Sequence, residues 1–277
     1  LFQSISISAT QSSLVMHYTA WLSLSIFYRL LSLSRKLDSD PLNILEIGSY
    51  AHSNLTANSV FDLKYHPTLS FPDIEYSYTG VDHISGPNVD VVIEEGKDMP
   101  FDMNTFDIII STSAFEHDQM FWLTFLDMMR MLKPCGMLYL QAPSEGSEHR
   151  TPTDNWRFYR DAPYALEKWA RRNGYNVDVM TAYIHNSDET RKVSLWNDHT
   201  MIFMKGSSHG EVVCDHEDKS VWAVFGDIFE QFVVNPTYVF AYANITNHTL
   251  FEVTMERNPE HPAVKLVYYE MKNMEWL

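Results

Sequence analysis

The sequence has 277 residues, of which 45% are hydrophobic and 14% aromatic, and its formal net charge is −16. This composition disfavours a disordered chain and supplies enough apolar side chains for one large domain with an extension or for two small domains. Nucleic-acid binding depends on Lys and Arg side chains that neutralise phosphates. The acidic balance therefore predicts no nucleic-acid partner and suits a cationic ligand.

The chain contains two cysteines, Cys135 and Cys214, whose spacing fits neither a disulfide framework nor a zinc cluster. We therefore expect a reducing compartment and a cytoplasmic location. His209, Asp215 and His216 lie close to the second cysteine but lack the paired spacing of metal ligands. A solvated linker is the simpler interpretation of that stretch, and the sequence predicts no metal site.

The first forty residues precede the regular pattern of the rest. A serine-rich stretch over residues 1–13 predicts no fixed structure. The segment from Leu14 to Leu33 is mostly apolar, but His17, Arg29 and several serines interrupt it, which is unfavourable for a membrane span. We expect a helix that packs on the domain and no membrane attachment. Residues 1–40 are assigned to an N-terminal tail and helix.

From residue 43 the chain alternates between short apolar runs and helical or loop segments. Seven runs are predicted as strands: Asn43–Ile47, Tyr76–Val81, Val89–Ile93, Phe106–Ile110, Met137–Gln141, Val177–Ile184 and Thr200–Met204. Such alternation is typical of an α/β fold with a doubly wound, mostly parallel sheet. The sequence therefore predicts a seven-stranded sheet of this kind.

Two helices are marked by their end signals. The first is predicted between Asp118, as its N-cap, and Pro134, as its stop, because apolar residues recur between them at helical spacing. The second is predicted between Asp161, as its N-cap, and Gly174, as its terminator, with Pro163 in the first turn. Both lie between predicted strands, as a doubly wound sheet requires.

Candidate site residues follow the predicted strands, because ligands of a doubly wound sheet bind outside the carboxyl ends of its strands. These residues are Gly48 and Ser49, Asp82 and His83, Glu94 and Glu95, and Ser111 to His117. An acid after the second strand is able to accept hydrogen bonds from both hydroxyls of a ribose, and Asp82 fits this role. A nicotinamide dinucleotide is disfavoured, because Gly48 stands without further glycines and Asp82 lies well beyond the usual spacing of about 20 residues.

Four stretches then resemble the class I S-adenosylmethionine-dependent methyltransferases of the small-molecule type. They are LEIGS, YTGVD, VDVVIEEGKDMPFDMNTFDIIISTSAFEHD and RMLKPCGMLYLQAPS, in the family's order. The resemblance covers residues 41–206, which we assign to a methyltransferase domain with a Rossmann-like fold. It implies S-adenosylmethionine as the cofactor, and the acidic walls suit that sulfonium ion.

The resemblance also implies roles for individual residues of the cofactor site. Gly48 and its neighbours would approach the methionine part, Asp82 would hold the ribose, and Glu95 would lie near the adenine amino group. The complete set of predicted cofactor-binding residues is Glu46, Gly48, Ser49, Asp82, His83, Glu94, Glu95 and Ser111. The chain departs from the family at two points. Ser49, Tyr50 and Ala51 replace further glycines of the first turn, and Cys135 replaces the second glycine of KPGG.

The stretch SEHRTPTDNWRFYRDAP follows the fifth strand at the same edge of the sheet. It resembles the loop of a methyltransferase subgroup often assumed to act on sugars or other small polar acceptors. The predicted substrate-binding residues are Arg150, Asp154, Trp156, Arg157 and Tyr159. Arginines bind carboxylate or phosphate bidentately, and tryptophan stacks on a flat or sugar ring. The alternative is a structural loop in which the arginines pair with Asp154 and Asp161.

The predicted function is transfer of a methyl group to a small polar or glycan-like acceptor. His117 and His149 are the catalytic candidates, because imidazole accepts a proton near neutral pH, although a capping or packing role stays open for each. The main alternative is an inactive methyltransferase-like domain that works as a binding or regulatory module, and a protein or peptide methyltransferase is a lesser one. Residues 207–277 form a C-terminal extension that would cap the core, bind a partner or mediate homo-oligomer formation.

Overall fold

A computed structural model describes Ser23, Leu24, Phe27 and residues 41–50, 75–94, 96–150, 152–184 and 196–206. Glu95, most of residues 1–40 and the whole C-terminal extension lie outside these ranges. The adenine role of Glu95 and the three-part division of the chain therefore stay predictions.

The described chain forms one sheet of seven strands. The strands are β1 (Leu42–Ile47), β2 (Tyr76–Asp82), β3 (Val91–Val92), β4 (Phe106–Thr112), β5 (Leu132–Pro143), β6 (Val177–Ile184) and β7 (Asp198–Lys205). Their order is β3-β2-β1-β4-β5-β7-β6. Strands β1 to β5 pair in parallel, whereas β7 runs antiparallel to both β5 and β6. This topology confirms the predicted α/β fold with a doubly wound, mostly parallel sheet.

Six of the seven strands differ in length from their predictions, and β3 and β5 illustrate the causes. Strand β3 is shorter at its start, because Asn88 has a φ of 67° and the Val89 amide closes a turn onto the carbonyl oxygen of Gly86 at 3.2 Å. Strand β5 is longer at its end, because Ala142 and Pro143 pair with the start of β7. A local turn thus sets the start of β3, and a partner distant in the sequence sets the end of β5.

The two described helices are α1 (Phe121–Met131) and α2 (Ala162–Arg172). The predicted cap of α1 is wrong, because its N-cap is Met120, and the Asp118 carboxylate instead accepts hydrogen bonds from the Met120 amide at 2.8 Å and the Thr124 hydroxyl. Asp161 is the N-cap of α2 by position but makes no side-chain capping bond. Gly174 follows α2 with a φ of +90°, which confirms it as the terminator.

Helices and sheet enclose the core on two faces. Phe125 of α1 is completely buried, and its ring lies 5.2 Å from that of Phe203 in β7. On the other face, Leu24 and Phe27 are helical and completely buried, and the ring of Phe27 lies 5.2 Å from that of Tyr139 in β5. Each such side chain contributes about 1.5–3 kcal/mol through burial, so these contacts fix the sheet that carries the site.

Two observations bear on the predicted location. Cys135 is disulfide-bonded, and its partner sulfur lies outside the described residues. The compartment is not fixed by this bond, and the cytoplasmic location stays a prediction. Among the described residues, no helix has both the length and the apolar character that crossing a bilayer requires.

Lys205 ends β7 with a buried ammonium group, far from the carboxyl end of β5. Its Nζ donates hydrogen bonds to Asn104 Oδ1 at 2.8 Å and to the carbonyl oxygen of Leu132 at 2.6 Å. Burial lowers the pKa of Lys205 from 10.5 to about 8, because the charged form loses its hydration. Folding is therefore linked to the ionisation of this residue.

We expect Lys205 to make the fold more stable as the pH rises from about 8 to 10.5. In this interval the unfolded chain still holds the proton that the folded chain has lost, so this residue adds up to about 3 kcal/mol of stability. Urea unfolding of the wild type and Lys205→Met at about pH 7.5 and about pH 10 measures the effect. The stability of the wild type relative to the variant should increase between the two values, and a constant difference would contradict the assignment.

Candidate functional site

The carboxyl ends of β1 and β2 are joined by backbone hydrogen bonds. Gly48 turns the chain out of β1 with a φ of +79°, and the amides of Gly48 and Ser49 both donate to the carbonyl oxygen of Val81, at 3.0 and 3.1 Å. Asp82 ends β2 as a buried side chain whose carboxylate accepts the Tyr50 amide at 3.1 Å and the Ile84 amide at 3.2 Å. Asp82, the residue predicted to hold the ribose, thus fixes the turns after both strands.

The turn after β1 lies directly against the loop after β4. A Cβ atom placed on Gly48 would lie 2.5 Å from the Cβ of Ala114, well inside van der Waals contact. The backbone carbonyl of Ala114 in turn accepts the amides of His117 at 3.0 Å and Asp118 at 3.2 Å. Gly48 and the predicted catalytic histidine are therefore separated by a single turn of chain.

Two serine hydroxyls at the strand ends have no partner among the described residues. Ser49 follows β1 and Ser111 lies in the neighbouring strand β4, where it pairs with Ile47 in register. Both side-chain oxygens are buried without a hydrogen bond. Because buried hydroxyls normally find a partner, these two atoms and the buried Asp82 fit a site that receives a polar ligand such as a nucleoside.

The other predicted cofactor residues are held differently. Glu46 is buried and its carboxylate accepts hydrogen bonds from the Tyr78 hydroxyl and, at 3.0 Å, from the Asn88 amide, so it ties β1 to β2 and its following loop. His83 is half exposed, with Nδ1 at 3.0 Å from Asp82 Oδ1. Glu94 is exposed and paired with Lys97. The structure therefore places Glu46 and His83 beside the strand ends and Glu94 on the surface.

The β5–α2 loop, residues 144–161 without the undescribed Thr151, is organised around one buried carboxylate. Arg157 donates to Asp154 with both terminal nitrogens, Nη1 to Oδ1 at 2.6 Å and Nη2 to Oδ2 at 2.8 Å. The His149 amide donates to the same Oδ2 at 2.7 Å. The hydrogen bond from Arg157 is the main reason that the pKa of Asp154 falls from 3.8 to about 2.

Three predicted substrate residues of this loop are exposed. Arg150 is paired only with the exposed Glu148 among the described residues, at 2.6 Å. Trp156 donates its Nε1 hydrogen to the carbonyl oxygen of Asp118 at 2.8 Å and packs edge to face on Phe121, with ring centres 5.4 Å apart. Tyr159 has 66% of its surface exposed. Arg157 thus pairs within the loop, as the structural alternative predicts, whereas Arg150, Trp156 and Tyr159 are exposed to solvent.

The loops after β4 and β5 bring three ligand-capable side chains together, Glu116, His117 and His149, which we call the Glu116–His117–His149 cluster. One oxygen or nitrogen atom from each lies within 4.8 Å of the others. His117 Nε2 is 3.7 Å from Glu116 Oε1, and the two imidazole rings meet edge to face with centres 5.0 Å apart. The two histidines predicted as catalytic are therefore neighbours.

Glu116 lies in the candidate stretch Ser111 to His117 but is not among the predicted catalytic residues. Its side chain is 2% exposed, and Oε2 has no hydrogen-bond partner among the described residues. Burial raises the pKa of Glu116 to about 8, and burial also lowers the pKa of His117. Without a cation nearby, the site therefore favours a neutral carboxyl beside a neutral imidazole.

A cavity of about 380 Å³ opens at the carboxyl end of β5. It is lined by Ser144, Glu145, Tyr159, Arg160, Asp161, Ile184 and Asn197. The volume lies in the range of small-ligand sites, and the lining is about equally polar and apolar. The predicted Tyr159 is thus the one substrate residue that contributes to this cavity.

One family model matches the middle of the chain. Residues 71–140, from before β2 into β5, match the family model described as a methyltransferase domain. The matched segment is similar to a methyltransferase domain, which agrees with the class predicted from the sequence and with its cofactor, S-adenosylmethionine. A search of curated protein sequences found no match.

Solved structures of low sequence identity align with part of this chain. The CurJ carbon methyltransferase is 13% identical with a TM-score of 0.47, and the alignment covers 69% of this chain and 57% of that one. The chain thus spans little more than half of that protein. The 1,6-didemethyltoxoflavin-N1-methyltransferase of Burkholderia thailandensis is 11% identical with a TM-score of 0.46, over 68% of this chain and 79% of that one.

We expect Asp154→Ala to lower the free energy of unfolding by about 3–5 kcal/mol, because it leaves the largely buried Arg157 without its carboxylate. Denaturant unfolding of wild type and variant measures the loss. Because the pKa of Asp154 is lowered from 3.8 to about 2, the stabilisation is complete above about pH 4 and disappears as the pH falls through about 2.

Glu148→Ala is the matched control for this prediction. It removes the carboxylate partner of Arg150, an exposed arginine of the same loop, and exposed pairs contribute little to stability. Its free energy of unfolding should equal that of the wild type. An equal loss in both variants would show that the Asp154–Arg157 pair does not hold the loop.

Proposed function

We propose that this chain transfers the methyl group of S-adenosylmethionine to a small polar or glycan-like acceptor. The contact between Gly48 and Ala114 carries the proposal, because it joins the cofactor end of the sheet to the loop that holds Glu116 and His117. When bound, the cofactor supplies an electrophilic methyl group, so the protein needs mainly to align the acceptor and remove its proton.

The cofactor half of the site consists of the turns after β1, β2 and β4. Asp82 holds the ribose, while Gly48, Ser49 and Ser111 border the methionine part. The unpartnered hydroxyls of Ser49 and Ser111 support this assignment, because a polar ligand would supply the hydrogen bonds that the described chain does not. His83 and Glu46 act indirectly, by holding Asp82 and β2 in place.

The acceptor half consists of the Glu116–His117–His149 cluster and the β5–α2 loop. His117 accepts the proton of an acceptor hydroxyl, because its Nδ1 faces the carbonyl oxygen of Thr153 and therefore carries hydrogen, which leaves Nε2 with a free lone pair. His149 is the second candidate. Trp156 and Tyr159 offer exposed rings for stacking, and Arg150 offers a cation whose present partner is itself exposed.

Replacing Asp82 should remove cofactor binding. Isothermal titration of the full chain with S-adenosylmethionine is expected to show one site in the wild type and none in Asp82→Ala, because the bidentate ribose acceptor is lost. Asp102→Asn, at an exposed acid of the β3–β4 connection, is the control and should bind normally. Unchanged affinity in Asp82→Ala would contradict the ribose assignment.

Replacing His117 should impair transfer without impairing cofactor binding. A transfer assay over hydroxyl, amine and carboxyl acceptors is expected to show kcat about 10²–10⁴ lower in His117→Ala for a hydroxyl acceptor, because the proton acceptor is lost. The affinity for S-adenosylmethionine should stay constant, and His209→Ala in the C-terminal extension should behave as the wild type. Cofactor binding without transfer to any acceptor would instead favour the binding-module alternative.

A further inference from the structure

The Glu116–His117–His149 cluster has the composition of a metal centre, two imidazoles and one carboxylate, although the sequence pattern predicts no metal site. We propose that it binds one divalent transition-metal ion of the Zn²⁺ type. Binding as such is independent of the proposed function. Only the effect of the ion on the acceptor rests on the proposed function.

The spacing of the three side chains is close to that of metal ligands. Two ligands that lie 2.0–2.1 Å from a tetrahedral ion are separated by roughly 3.3–3.5 Å. His117 Nε2 and Glu116 Oε1 are 3.7 Å apart, and all three candidate ligand atoms lie within 4.8 Å of one another. Side-chain movements of about 1 Å or less per residue would therefore complete the coordination.

Glu116 supplies the second, independent observation. Its carboxyl group is buried from solvent, and Oε2 makes no hydrogen bond. A buried carboxylate is costly unless a cation or donors compensate its charge. A cation between Glu116 and the two histidines would neutralise the charge of this buried carboxylate.

Both histidines are held in place by groups outside the cluster. His117 Nδ1 donates to the carbonyl oxygen of Thr153, which directs Nε2 toward Glu116. The backbone of His149 is tied to Asp154, and its Nδ1 lies 3.2 Å from Asp154 Oδ2, although not with hydrogen-bond geometry. Such outer carboxylate and carbonyl partners usually orient metal-binding imidazoles. Arg157 extends this support by clamping Asp154.

The ligand set also selects the kind of ion. Imidazole nitrogens suit zinc and its neighbours among the transition metals, whereas Mg²⁺ and Ca²⁺ prefer oxygen ligands. Three protein ligands leave a fourth position open, as catalytic zinc sites do. At that position the ion would lower the pKa of an acceptor hydroxyl, whose proton then passes to solvent. In this state His117 acts through the ion rather than as a direct base.

Zinc binding is measured on the full chain after removal of metal with a chelator. Calorimetric titration with Zn²⁺ alone, without cofactor or acceptor, should show one saturable site per chain, and Mg²⁺ at the same concentration should show none. Glu116→Gln and His117→Asn should each weaken the affinity by at least about 100-fold, because even outer partners contribute about 10- to 100-fold. Circular dichroism of each metal-free variant verifies that it is folded, and one folded variant suffices.

The double variant His209→Ala/His216→Ala is the matched control, since it removes two imidazoles from the C-terminal extension. Its zinc affinity should equal that of the wild type. Absence of a saturable site, binding that survives in the folded cluster variants, or loss of binding in the control would each overturn the inference. Because the titration contains no S-adenosylmethionine, a negative result leaves the cofactor measurements on Asp82→Ala unaffected.

Discussion

The bidentate pair between Asp154 and Arg157 is the interaction on which the acceptor half of the site depends. The Asp154 carboxylate accepts hydrogen bonds from both terminal nitrogens of Arg157 and from the amide of His149. These three bonds convert a polar loop into a fixed structure and set His149 against His117. Because the guanidinium is used inside the loop, it is not available to an acceptor. In the proposed site, substrate contact would therefore fall to the exposed side chains around this pair.

Polar groups are paired at the amino end of the sheet, whereas several at the carboxyl end have no hydrogen-bond partner in the described chain. At the amino end, Asp107 accepts the Asn43 amide at 2.9 Å and the Lys133 ammonium at 2.8 Å, so its charge is compensated. At the carboxyl end, the hydroxyl of Ser111, the amide of Gln141 and one oxygen of Glu116 are buried without partners in the described chain. Each such group costs about 1–3 kcal/mol. Concentration of this cost at one end is typical of a ligand site.

Local patterns predicted most of the sheet, and non-local contacts explain the failures. Apolar runs located all seven strands, and the acid after β2 was found because a strand end fixes its position. Glu116 was placed in the candidate stretch after β4 but was given no catalytic role, because no spacing distinguishes a buried carboxylate from a surface one. The antiparallel direction of β7 depends on its pairing with β5, a partner far along the chain. The role of Arg157, binding or structural, likewise depends on how the loop folds around Asp154.

The glycine-poor turn after β1 is compatible with a working cofactor site. Gly48 is the position where glycine is required, since its φ is +79° and any Cβ would collide with Ala114. Ser49 and Tyr50 do not adopt a left-handed conformation, so side chains there impose no backbone strain. Their amides instead bind the Val81 carbonyl and the Asp82 carboxylate. The substituted residues therefore build the turn toward Asp82, and the loss of further glycines does not by itself indicate an inactive domain.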